Sequence, residues 1–122
     1  VMTRPQLKKT MTVMKNQCIP KVGVAESKVA KIEQGEFLED RDVMCYVACV
    51  YKTINVVKNN KLDGELISKQ VDILYPPDLK DSVKNGVAQC MKTQDKYPDM
   101  CEGIFYATKC LYEFDPPSFV FP

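Results

Sequence analysis

The chain has 122 residues, 45 % of them apolar and 27 % charged, with 17 basic against 16 acidic side chains and no histidine. That length holds one domain with one core, and a formal charge of +1 spread over both halves excludes the basic field that a nucleic acid or an anionic membrane would need. No window approaches the ~18 consecutive apolar residues of a stable membrane span, and the missing imidazole removes the commonest general base and nucleophile activator.

The first residues, Val1 to Lys9, lack the apolar centre of a signal peptide. The cysteines favour a removed leader and a secreted, extracellular protein over a cytosolic one, because three bridges do not persist among reducing thiols. Leu7, Met11, Met14 and Cys18 fall on one helical stripe, which predicts a helix stopped at Pro20. Ala25 to Gln34 carries Val29 and Ile32 and ends before Gly35, the pattern of a short helix with a left-handed exit.

Arg41 to Val57 is the most apolar segment. Cys45 and Cys49 lie one turn apart on one face, with Val47, Tyr51 and Ile54 or Asn55 on another, so a central helix is expected. Lys58 to Gly64 reads as a polar loop and Glu65 to Leu74 as a short helix closed by Pro76 and Pro77. Behind those prolines Leu79, Val83, Val87 and Met91 recur every four residues, an amphipathic helix. Asp99 with Glu102 predicts a reciprocal capping box for a last helix through Cys101, Ile104, Phe105, Thr108 and Leu111. The prediction is an all-α chain of about six helices.

Asp115-Pro116-Pro117 breaks the last helix and leaves an apolar tail, Phe119-Val120-Phe121-Pro122. Large apolar residues in such a segment need a receiver on the body of the protein. Two readings stand here: plain core packing, or a lid formed by residues 114–122 over an apolar cavity.

Catalytic chemistry is sparse. None of Ser27, Ser68, Ser82 and Ser118 lies in a nucleophile elbow, and the five glycines are scattered singly rather than gathered in a phosphate loop. Cys45-x-x-x-Cys49 is at most half of a zinc site. Glu36, Glu39, Asp40 and Asp42 precede the central helix, where they suit its positive end better than acid/base work. No enzyme, cofactor or metal is expected; a secreted phospholipase would lack its water-activating histidine.

The six cysteines, Cys18, Cys45, Cys49, Cys90, Cys101 and Cys110, are separated by 26, 3, 40, 10 and 8 residues. Spacing alone admits fifteen pairings. The pattern, together with Met44-Cys45-Tyr46-Val47-Ala48-Cys49, Pro76-Pro77-Asp78-Leu79, Ala107-Thr108-Lys109-Cys110 and the Phe-Val-Phe-Pro tail, closely resembles the six-cysteine insect odorant-binding proteins, a family that includes pheromone-binding members. The resemblance spans about Gln6 to Pro122.

It implies helices around an apolar cavity and interlocked bridges Cys18–Cys49, Cys45–Cys101 and Cys90–Cys110. It also implies non-covalent carriage of a small apolar volatile ligand in sensory lymph for delivery to a receptor, by a monomer or weak homodimer. A lipid-binding or defence protein on the same scaffold is the alternative. Carried over residue by residue, the ligand-binding set is Val47, Tyr51, Ile54 and Asn55 on the central helix, Leu66, Val71 and Leu74 on the next, and Val83, Val87 and Met91 behind the prolines. Leu111, Phe119 and Phe121 complete it, with Tyr51 and Asn55 as polar handles. Without histidine, any acid-driven release would rest on Asp40, Asp42, Asp115 or the Pro122 terminus, the last anchored by Arg41 or a lysine.

Overall fold

The computed structural model describes residues 1–122. Helix α1 (Arg4–Val22) opens on a reciprocal cap: the Gln6 amide donates to the Thr3 hydroxyl and the Thr3 amide to the Gln6 side chain. Pro20 does not stop it, contrary to expectation. In the last turn a proline removes a single donor, and the chain leaves the helix only at Gly23, whose φ of +80° is left-handed.

The segment expected as a helix from Ala25 to Gln34 is helical only over α2 (Glu26–Val29), then proceeds by turns to Gly35 at φ +95°. So short a segment has little helical stability of its own; burial of Val29 and Ile32, each 1 % exposed, sets the backbone instead. Gly35 is required twice over, because a Cβ there would also fall 2.5 Å from the Tyr112 ring.

Helix α3 (Arg41–Ile54) is the central element, with Val43, Tyr46, Val47 and Val50 all fully buried. It ends at Asn55, φ +73°, not at Val57, since asparagine tolerates the left-handed conformation. The expected polar loop is in part a hairpin of strands β1 (Val57–Lys58) and β2 (Lys61–Leu62), with Val57 opposite Leu62. Its turn residues, Asn59 and Asn60, both have positive φ, the geometry tight hairpins favour. Buried Gln94 completes the edge, accepting from the Leu62 amide and donating to the Leu62 carbonyl, both at 2.9 Å.

Helix α4 (Gly64–Leu74) is capped by Asp63, which accepts from the Leu66 amide at 3.0 Å. Helix α5 (Pro77–Cys90) starts on its proline and runs into a 3-10 turn at Met91–Lys96. Asp99 caps α6 (Met100–Phe114) by accepting from the Glu102 amide at 2.9 Å, but Glu102 does not return the bond, and only half of the expected box forms. The Asp99 carboxylate instead takes a forked pair of bonds from Arg41, 2.5 and 3.0 Å, which holds it well below the usual carboxylate range.

The three bridges are the ones the resemblance implies. Cys18–Cys49 ties α1 to α3, Cys45–Cys101 ties α3 to α6, and Cys90–Cys110 ties α5 to α6. α3 is thus sandwiched between α1 and α6, and apart from the small hairpin the regular structure of the chain is helical.

Candidate ligand-binding site

Two adjoining hollows lie among the helices. The larger, about 210 Å³, is walled by Leu7, Thr10, Met11 and Met14 of α1, by Tyr51, Thr53 and Ile54 of α3 with Val56, and by Ile67, Gln70, Val71 and Leu74 of α4 with Tyr75. Its apolar surface follows from helical spacing: Leu7, Met11 and Met14 repeat at i, i+4, i+7, and so do Ile67, Val71 and Leu74. The smaller, about 50 Å³, is bounded by Ser82, Val83, Gly86 and Val87 of α5, by Leu111 and Phe114 of α6, and by Asp115, Ser118, Phe119 and Val120 of the tail. Tyr51, Ile67 and Tyr75 line both, so these three form the wall between them.

Of the residues the sequence nominated, Tyr51, Ile54, Val71 and Leu74 line the larger hollow, and Tyr51, Val83, Val87, Leu111 and Phe119 the smaller. Val47 lines neither; it is wholly buried in the main core. Leu66 packs half-buried on that core, and Met91 borders a surface groove with Lys69 and Lys84. Phe121 sits behind the hollows, fully buried, with its ring 5.6 Å from Tyr51, 6.3 Å from Tyr46 and stacked on Phe119 at 5.9 Å.

Asn55, expected as a polar handle, lines neither hollow and is exposed, as the left-handed cap of α3 requires; Tyr75, which the spacing does not nominate, lines both. Tyr75 precedes Pro76 and is held extended at φ −78°, ψ 146°, which removes it from the α4 stripe and explains why helical spacing does not find it. The α1 stripe was legible but gave no sign that it faces a hollow.

Burial pushes the Tyr75 phenol up to about 12, the Arg4 charge opposing slightly, and pushes Tyr51 higher still against a small opposing pull from Thr108. Both are neutral donors at any physiological pH. Asp115, in contrast, is held below its ordinary value by Ser118 and Ser82, whose hydroxyls donate to one of its oxygens at 2.6 and 2.5 Å.

The tail is pinned chiefly through its main chain. Arg4 donates to the carbonyls of Pro117 and, at 2.8 Å, Phe119; Lys8 donates to that of Phe121 at 2.7 Å. Glu33 accepts from the Phe121 amide at 3.0 Å and pairs with Lys8 at 3.0 Å, while the Tyr46 hydroxyl donates to the Pro122 oxygen at 3.2 Å. Arg41, expected as a tail anchor, is engaged by Asp99, and Asp40 and Asp42 both face Lys28.

The sign of the Asp115 shift sets its pH window. With a lowered folded-state pKa, the stability it lends is complete above the ordinary 3.8 and is lost only as pH falls through the lower folded value. The carboxyl-carbon NMR shift of Asp115 is therefore expected to stay flat from about pH 7 to about pH 5. A titration step inside that interval overturns the assignment.

The fold and spacing have solved counterparts. An odorant binding protein 5 of Apis mellifera superposes with a TM-score of 0.88 at 31 % identity, over 99 % of this chain and 98 % of that one. Odorant Binding Protein 4 of the predator Chrysopa pallens does so at 0.88 and 30 %, over the whole of both chains. General odorant-binding protein 72 of Anopheles gambiae is 29 % identical over 120 residues, 98 % of each sequence. With residues 1–114 also matching the PBP/GOBP family model, the chain belongs to the PBP/GOBP family.

Proposed function

We propose that this protein is an extracellular carrier that takes up a small apolar odorant non-covalently, with residues 114–122 as the lid, and delivers it to a sensory receptor. The observation that carries this reading is the larger hollow: a partly open, mainly apolar space of about 210 Å³ among the helices of a small domain. An unfilled void of that kind forfeits packing, whereas a ligand entering it gains about 25 cal/mol per Å² of apolar area removed from water. Sites for drug-sized molecules run to about 300–1000 Å³, so the cargo is of volatile size. Three bridges fit an oxidising, extracellular setting. The odorant-binding names of its relatives support the sensory role.

The test is uptake of the fluorescent reporter N-phenylnaphthylamine and its displacement by apolar volatiles. Met11→Trp puts an indole into the larger hollow and is expected to weaken reporter binding at least about tenfold, for about 1–3 kcal/mol of overpacking. Unchanged reporter affinity in a folded Met11→Trp protein would remove the hollow as the binding site.

A further inference from the structure

We infer that the two hollows together receive one uncharged, two-armed molecule, a ketone or ester whose carbonyl is held at the Tyr51–Ile67–Tyr75 wall, with its long apolar arm in the larger hollow and its short arm in the smaller. The inference rests on the carrier reading and adds the chemical class of the cargo.

The wall is the place where the shape and the polarity of the site coincide. Tyr51 and Tyr75 line both hollows, so a group held between them has apolar space on two sides. The Tyr75 hydroxyl makes no hydrogen bond within the protein, and since no fully enclosed side-chain donor or acceptor lacks a partner, this hydroxyl of a half-buried residue keeps access to open space. A phenol with no acceptor is a donor waiting for one, and a carbonyl oxygen supplies two lone pairs. The other polar groups on the larger hollow are already engaged: Thr10 donates to the Gln6 carbonyl at 3.1 Å and Thr53 to the Cys49 carbonyl at 2.8 Å, leaving half-buried Gln70.

Charge excludes the fatty acids that a lipid carrier would take. Neither hollow is lined by a lysine or arginine, and the one ionisable acid on the lining is Asp115, at the smaller hollow. The Arg4 charge reaches Tyr75, but its guanidinium is bound to the carbonyls of Pro117 and Phe119. An ionised carboxylate placed at the wall would thus lose its water with no cation to replace it, and would face Asp115 besides. A neutral carbonyl loses far less on entry. The difference in volume, about 210 against about 50 Å³, sets which arm is long.

The experiment is displacement of N-phenylnaphthylamine by ethyl heptyl ketone, decane and decanoic acid at about pH 8, where the acid is ionised. The ketone is expected to bind about fivefold tighter than decane, and decanoate at least about tenfold weaker than the ketone. Tyr75→Phe should bring the ratio of ketone to decane affinity down to about one, with an unchanged circular dichroism spectrum and cooperative melt reporting that the variant is folded. Asp115→Asn should narrow the gap between decanoate and the ketone. A ketone no better than decane, a ketone advantage that survives in both Tyr75→Phe and Tyr51→Phe, or decanoate equal to the ketone overturns this inference while the carrier reading stands. Failure of the reporter and of all three compounds to bind overturns both.

Discussion

Replacing Cys45 and Cys101 together by alanine is expected to lower stability by about 4 kcal/mol and the melting temperature by roughly 12–16 °C. The bridge spans 56 residues, against 31 for Cys18–Cys49 and 20 for Cys90–Cys110. Loop entropy grows only with the logarithm of that span, so the three bridges differ by less than about 1 kcal/mol on that count. What sets Cys45–Cys101 apart is its place, because it joins α3 to α6, the most extensively packed pair of helices in the chain. Each has fully buried side chains there, Val43, Tyr46 and Val47 on one and Ile104 and Phe105 on the other. For a domain whose total stability is of the order of 5–15 kcal/mol, the loss is a large fraction. The double variant is the informative one, since a single replacement would leave an unpaired thiol free to react in an oxidising medium. Urea unfolding should show a lower midpoint with an equal or steeper slope, because the unfolded chain freed of its cross-link exposes more surface. A fall of under about 1 kcal/mol would mean that the α3–α6 packing alone fixes the frame.

What the sequence revealed and what it hid divide along the range of the interactions. Local signals were legible: the α5 stripe of Val83 and Val87 behind Pro77, the Asp99 cap, and Gly35 as a left-handed exit are each decided within a few residues. So is the helical character of α3, although the apolar run carries on to Val57, three residues past the last helical residue, Ile54, because nothing beside Asn55 announces a left-handed turn. Pro20 misled because its position in the last turn, not its presence, sets its effect. The Asn59-Asn60 turn is hidden within a polar stretch, since asparagine pairs signal a hairpin less strongly than Asn-Gly. Inward helical residues as such were recognisable, but which of them border space and which border other side chains depends on partners far away in the chain. Val47 and Tyr51 are one turn apart on α3, yet only Tyr51 reaches the hollows, because the next layer at Val47 is filled. The cations that pin the tail, Arg4 and Lys8, lie more than a hundred residues from it, and nothing in the local pattern marks them.

Phe121→Ala is expected to cost about 3–5 kcal/mol, as large as loss of a bridge. The ring is fully buried and packs on three others, Tyr46, Tyr51 and Phe119. The main-chain bonds of the same residue, from Lys8 and to Glu33, do not involve the ring and should persist. The tail would therefore stay docked over an emptied space, and because Tyr51 also belongs to the wall, that space adjoins the hollows. A void of this kind lined by aromatic rings takes up a small aromatic solute. Saturating benzene should thus raise the melting temperature of the variant more than that of the parent, by linkage to binding in the folded state only. Phe121→Leu, which keeps most of the volume, should lose less than half as much. A cost below about 1 kcal/mol for Phe121→Ala would mean that this ring is no part of the core, and the tail would then rest on its main-chain contacts with Arg4, Lys8, Glu33 and Tyr46.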